Sequence, residues 1–208
     1  MVTSEEALNQ LRQGNERYVC GKQSLLEQTD SRRRREQVEG QYPFAILLGC
    51  SDSRVPLEVI FDQGLGDLFV VRVAGNVATS SQIGSIEFAV AKFGTPLVVV
   101  LGHSNCGAVI AAMEELQNPS GNLTPSLTNL IERIQPSVER VLSNNKTSDP
   151  GSNLLEMVKA NVQASVDTLR EESALLGNGE REGSLKIVGA EYCLETGKVE
   201  FHNHLPQG

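Results

Sequence analysis

The chain has 208 residues, 39% of them hydrophobic and 21% charged, and a formal net charge of −8 at pH 7. That length suffices for one sizeable core, and the acidic balance argues against a nucleic-acid partner, whose phosphates need Lys and Arg to neutralise them. No window approaches the ~20 consecutive apolar residues of a membrane span, and no secretory leader precedes Ser4, so a cytoplasmic location is expected, with export of a longer precursor left open.

Ser4-Glu-Glu-Ala-Leu places an N-cap before two acidic residues and starts a helix whose apolar stripe, Leu8, Leu11, Tyr18 and Val19, runs to Gly21. Residues 22–41 are polar without a clear period. Within them, Arg32 to Arg35 followed by Glu36 reads as a solvated helix face or an inter-subunit salt-bridge patch. Pro43 opens a first strand that ends at Cys50, and Leu68–Val73 is a second.

Ser81–Phe93 has helical periodicity and Gly94 past its end, Pro96 leads into a third strand ending at Gly102, and Cys106–Leu116 is a small-residue helix stopped by Asn118-Pro119. Two long helical stretches follow, over 126–143 with a kink or interruption at Pro136, and over 152–176. Leu185–Ala190 is a fourth strand and Val199–His202 a short fifth. Nearly all-apolar strands alternating with helices predict an α/β fold: a mostly parallel central sheet of four to five strands flanked by helices. One domain spans 1–208, with 1–40 as an N-terminal helical arm. No internal repeat or low-complexity segment is apparent.

Two strings carry chemistry, Cys50-Ser-Asp52-Ser-Arg54 and His103-Ser-Asn-Cys106, each directly after an apolar run. Two Cys and one His converging from two strand ends suit Zn²⁺, and three ligands leave a position open, as catalytic sites do. The carboxyl ends of parallel strands are also where such sheets bind ligands. If the strand continues past Cys50, then Cys50, Asp52 and Arg54 project to one side, with a carboxylate held ionised by a guanidinium within reach of the metal. Gly102 would allow a sharp exit from the strand, and the helix starting at Cys106 would favour its thiolate. Two thiolates neutralise the Zn²⁺ charge, so activity should favour alkaline pH. The alternatives are a structural zinc completed by Cys20, Cys193, His202 or His204, or core residues with no metal. Four Cys do not suggest a disulfide framework, and Cys20 and Cys193 read as free thiols.

With these residues the chain resembles the β-class carbonic anhydrases. The resemblance rests on 49–55 (GCSDSRV), 66–72 (GDLFVVR), 74–76 (AGN), 84–90 (GSIEFAV) and 102–107 (GHSNCG), and extends to 14–18 and 188–192. It implies reversible hydration of CO₂ to bicarbonate and a proton through zinc-bound hydroxide. The implied metal ligands are Cys50, His103 and Cys106, with one Zn²⁺ per subunit, and the catalytic pair is Asp52 and Arg54. Gln41, Phe69, Ala74, Phe88 and Gly107 correspond to the CO₂ pocket, some of them facing a neighbouring subunit.

A homodimer or homotetramer is implied, its N-terminal helix packing on a partner subunit. Some bacterial members carry a second bicarbonate site, built from a Trp, an Arg and a Tyr, that locks the enzyme closed. Arg72 and Tyr192 fall at two of those positions, but Leu47 stands in place of the Trp, so this regulation is not expected here. Cys193 stands where an Asp is common, and the tail residues His202 and His204 are candidate proton relays. Other readings are a CS₂ or COS hydrolase on the same zinc and a non-catalytic, zinc-stabilised assembly protein.

Overall fold

The computed structural model describes residues 2–144 and 150–202. Its elements in chain order are α1 (Ser4–Val19), α2 (Leu25–Gln28), α3 (Ser31–Glu36), β1 (Ala45–Gly49), α4 (Leu57–Ile60), β2 (Leu68–Arg72), a 3₁₀ turn (Ala74–Asn76), α5 (Ser80–Phe93), β3 (Leu97–His103), α6 (Gly107–Gln117), α7 (Pro125–Asn144), α8 (Pro150–Glu172), α9 (Ala174–Arg181), β4 (Lys186–Tyr192) and β5 (Val199–His202). The sheet has the order β2-β1-β3-β4-β5, parallel except for the antiparallel β4–β5 pair. The chain goes from β1 outward to β2 and then returns past β1 to β3. The strand order therefore reverses between β1 and β3, and a crevice opens at their carboxyl ends.

Alternation along the strands fills both faces. Ala45, Leu47, Leu97, Val99 and Leu101 join α1 and α4 in one core, while Ile46, Leu48, Val98 and Val100 join α5, α8 and α9 in another. A third cluster, from α6, α7 and α8, closes over the strand ends and includes Cys50 and Cys106. No described helix is long and apolar enough to cross a membrane.

Several elements differ from the sequence reading for physical reasons. Segment 22–41 contains two short helices. The second is capped by Asp30, which accepts from the Arg33 N–H at 2.7 Å, and it buries nothing, so no hydrophobic period announces it. Helix α7 runs through Pro136 without ending. The last long helical stretch breaks at Ser173, whose side chain accepts from the Leu176 N–H and starts α9. Gly102 serves packing rather than a sharp exit: β3 continues to His103, and a Cβ at 102 would lie 2.5 Å from Val162 Cγ2 of α8.

Helix α1 buries Ala7, Leu8 and Leu11 in the chain's own core. Asn15 ties it to β5 by accepting from the Val199 N–H at 2.9 Å. Buried Asp62, at φ 47°, accepts from Arg17 Nε at 2.5 Å and from the Ser24 N–H at 2.8 Å, anchoring the exit from α1.

On β4, Glu191 is 8% exposed and paired in register with Glu200 of β5, with Lys159 and Glu156 of α8 nearby. Burial pushes its carboxyl up to about 7, with Glu200 and Glu156 adding to the rise and Lys159 opposing it. A carboxyl raised in the folded chain stabilises fully below its unfolded pKa, and that stabilisation disappears as pH climbs through the folded value. Glu191→Gln imitates the protonated form. It should leave stability near pH 4.5 unchanged and raise it at pH 8 by roughly 1–3 kcal/mol, flattening the pH profile in urea unfolding. An unchanged pH slope would reject this account of the cluster.

Candidate metal centre

Cys50 leaves the end of β1, His103 ends β3, and Cys106 is the N-cap of α6. All three are buried, and one ligand atom from each lies within 4.8 Å of the other two. His103 Nδ1 lies 3.0 Å from the Ser104 carbonyl. An N–H there leaves Nε2 as the bare lone pair, the tautomer a metal requires. His103 Nε2 is buried and has no hydrogen-bond partner among the described residues. A buried polar atom without a partner calls for an explanation, and a cation between the two sulfurs supplies one.

The two thiols share the local charge unequally. Cys50 is held well below the usual thiol range, chiefly by the neighbouring Cys106 sulfur and then by the His103 ring, with the peptide N–H groups of Asp52 and Gly75 at 3.4 and 3.3 Å adding to it and burial opposing it. Cys106 is pushed well above the usual thiol range by the neighbouring Cys50 sulfur and by burial. Sulfur, sulfur and imidazole form a soft donor set suited to a divalent cation, whose binding would displace the thiol protons.

Beyond Cys50 the extended conformation does not persist. Asp52 forms a side-chain turn instead, Oδ1 accepting from the Arg54 N–H at 2.9 Å. The turn brings the two side chains together by a route other than strand alternation. Arg54 grips the carboxylate with Nε on Oδ1 at 2.9 Å and Nη2 on Oδ2 at 2.8 Å. The Arg54 hydrogen bonds hold the Asp52 carboxyl well below the usual carboxylate range. Oδ2 lies 3.9 Å from His103 Nε2, so the carboxylate faces the donor set while bound to arginine. Arg54 Nη2 also donates to the Asn105 carbonyl at 3.2 Å, joining the two motif loops.

Arg72 is a residue whose role the sequence did not reveal. Its Nε donates to the Cys50 carbonyl at 2.9 Å and its Nη2 to the Asp52 carbonyl at 2.7 Å, fastening the main chain of the loop. Tyr192 does not join it: this side chain is buried, with its hydroxyl 3.1 Å from that of Tyr18. Leu47 is fully buried in the core.

Of the five pocket residues, Ala74 begins the turn whose Gly75 faces Cys50, and Gly107 is the first residue of α6, with open space where a Cβ would stand. Phe69 and Phe88 pack with Phe93 in an aromatic cluster, Phe88 remaining 54% exposed, and Gln41 is exposed before β1. No described contact within the chain brings those three to the metal donors. His202 is half-buried in β5, and His204 lies outside the described residues.

The carbonic anhydrase family profile matches residues 45–199. The chain belongs to the β-carbonic anhydrase family. The carbonic anhydrase of Mycolicibacterium smegmatis is 40% identical over 198 residues, covering 94% of this chain and 91% of that protein. Carbonic anhydrase 2 of Mycobacterium tuberculosis (strain H37Rv) matches with the same identity and coverage. Among solved structures, the β-carbonic anhydrase CcaA superposes with a TM-score of 0.75 at 26% identity, over 83% of this chain and 86% of that one. The β-carbonic anhydrase CafA of Aspergillus fumigatus gives 0.73 at 26%, over 85% of each. Family and fold support CO₂ hydration, and the relatives named here are all carbonic anhydrases, with no hydrolase of CS₂ or COS and no assembly protein among them.

Alanine at Cys50, His103 or Cys106 should each abolish stoichiometric metal, measured by plasma emission on purified protein, whereas Cys20→Ala and Cys193→Ala should keep it. A full metal complement in all three ligand variants would overturn the assignment.

Proposed function

We propose that the chain catalyses the reversible hydration of CO₂ to bicarbonate and a proton at one Zn²⁺ per subunit, held by Cys50, His103 and Cys106. The observation that carries this reading is the unpartnered, buried Nε2 of His103 beside two sulfurs, with an ionised carboxylate held just off them by Arg54. Zn²⁺ bound there supplies a Lewis acid that makes water acidic enough to attack CO₂.

The remaining tasks fall to the chain. Asp52 stays ionised through the working pH range and is therefore acceptor-only. Its carboxylate takes a hydrogen bond from the attacking water and turns an oxygen lone pair toward CO₂. Arg54 keeps that carboxylate from moving onto the donor set, so the site remains open to water. Gly107 offers a peptide N–H at the start of α6, where the helix dipole favours the negative charge of bicarbonate. Gln41, Phe69 and Phe88 complete the CO₂ pocket in a homodimer or homotetramer, which accounts for the exposure of Phe88 and Gln41 in the single chain. The arm that reaches a partner begins after α1, because α3 buries no residue while Val38 and Tyr42 are 78% and 86% exposed.

Stopped-flow CO₂ hydration should rise from pH 7 to pH 9 in the metal-replete protein. Asp52→Asn should lower kcat/KM by about 10²-fold or more with metal retained. A metal-replete wild type without activity at either pH would refute the function.

The second bicarbonate site is not formed here. Leu47 supplies no indole N–H, and the Arg72 guanidinium is engaged on two main-chain carbonyls. Near neutral pH bicarbonate should inhibit, if at all, without cooperativity. Steep cooperative inactivation, with bicarbonate found beside Arg72 in a crystal, would show that the site exists.

A further inference from the structure

Helix α8 reaches the metal centre without contributing a donor. Asn161, 2% exposed, donates its Nδ2–H to the Gly75 carbonyl at 2.7 Å. One helical turn later Ser165, also buried, donates its hydroxyl to the Asn76 carbonyl at 3.0 Å. The two carbonyls belong to a turn in which both residues are left-handed, Gly75 at φ 67° and Asn76 at φ 45°. Asn tolerates that conformation better than most residues with a Cβ, and glycine at 75 imposes no preference of its own. Within the turn the Asn76 N–H donates to the Val73 carbonyl at 3.1 Å, and α8 holds the two following carbonyls from outside. The turn's product is the Gly75 N–H directed at Cys50 Sγ, 3.3 Å away.

We propose that Asn161 is a positioning residue of the metal centre: by holding the Gly75 carbonyl it keeps the Gly75 N–H on the Cys50 sulfur. The inference rests on the reading of Cys50 as a metal ligand. A thiolate that accepts a peptide N–H donates less electron density to its metal, and partners behind the ligands commonly tune metal sites in this way. Cys50 accepts two such bonds, from Gly75 and Asp52. The Asp52 loop is fastened by Arg72 and the Gly75 turn by Asn161, so each donor has its own tether.

The competing account is steric. A Cβ on Gly75 would fall 2.7 Å from Ile134 Cδ1 and 3.2 Å from Ala108 Cβ, so packing could hold the turn without Asn161. Cobalt-substituted protein separates the two, because the sulfur-to-cobalt charge-transfer band reports thiolate donation directly. Wild type, Asn161→Leu, Asn161→Asp and Ser165→Ala are compared by near-ultraviolet absorption, with the cobalt content of each measured. Asn161→Asp keeps the shape and removes the donor once its carboxyl is ionised, so with spectra followed to alkaline pH it carries the test if the leucine variant fails to fold.

We expect one cobalt per chain throughout. The band should move to lower energy in both Asn161 variants and stay in place in Ser165→Ala, whose tether lies one peptide farther away. An unmoved band in metal-loaded Asn161 variants would assign the turn to packing and overturn the proposal. So would an equal shift in Ser165→Ala, which would mean general loosening of α8, or complete metal loss in both Asn161 variants, which would mean a structural role. A wild type that takes up cobalt without thiolate bands would instead refute Cys50 and Cys106 as ligands, so the two failures are distinguishable.

Discussion

Gly49 lies beside Leu101 in the parallel pairing of β1 with β3, and the candidate metal centre depends on that register. The pairing makes two loops leave the sheet side by side, one carrying Cys50 and Asp52, the other carrying Asn105 and Cys106. A slip of one residue would turn Leu47 and Leu48 to the wrong cores and rotate Cys50 away from His103. The register is fixed by burial, since every residue of β1 and β3 is buried. Long-range pairing thus holds donor atoms far apart in sequence within one small sphere, at the point in the sheet where the strand order reverses.

Around this point the chain separates tasks that one residue could not combine. The buried sulfurs face peptide N–H groups, which temper negative charge without adding a full positive one. The full charges, Asp52 and Arg54, stand at the rim, where water softens the cost of ionisation. Asp52 is held twice, its carbonyl by Arg72 and its carboxylate by Arg54. Main chain and side chain of Asp52 are thus held by different arginines, and the main-chain hold extends to the Cys50 carbonyl.

The meeting of Cys50, His103 and Cys106 was legible in the sequence, because soft donors placed at two strand ends point to one site, and apolar runs mark the strands. What stayed hidden depends on partners distant in sequence. The reason for Gly102 is Val162 on α8, and the use of Arg72 is a pair of carbonyls some twenty residues earlier. The Asp52 turn did have a signal, since Asp is poor in strands and closes turns through its own side chain, but the i, i+2 spacing to Arg54 suits either conformation. Helix α3 has no buried face and so leaves no period to read. Phe69, Phe88 and Gln41 were named through resemblance, and within one chain they do not meet the metal donors.

Helix α8 lies flush against the bare backbone of Gly102, with Val158 and Val162 filling the space a side chain would take, and Asn161 sits between them. The same surface that seals the sheet thus carries the tether for the Gly75 turn. A methyl group at position 102 would push the helix outward and carry that tether with it. Gly102→Ala would look like a lesion in chemistry although its added methyl meets Val158 and Val162 of α8 and no donor atom, so the packing behind His103 limits replacement there as firmly as the chemistry does.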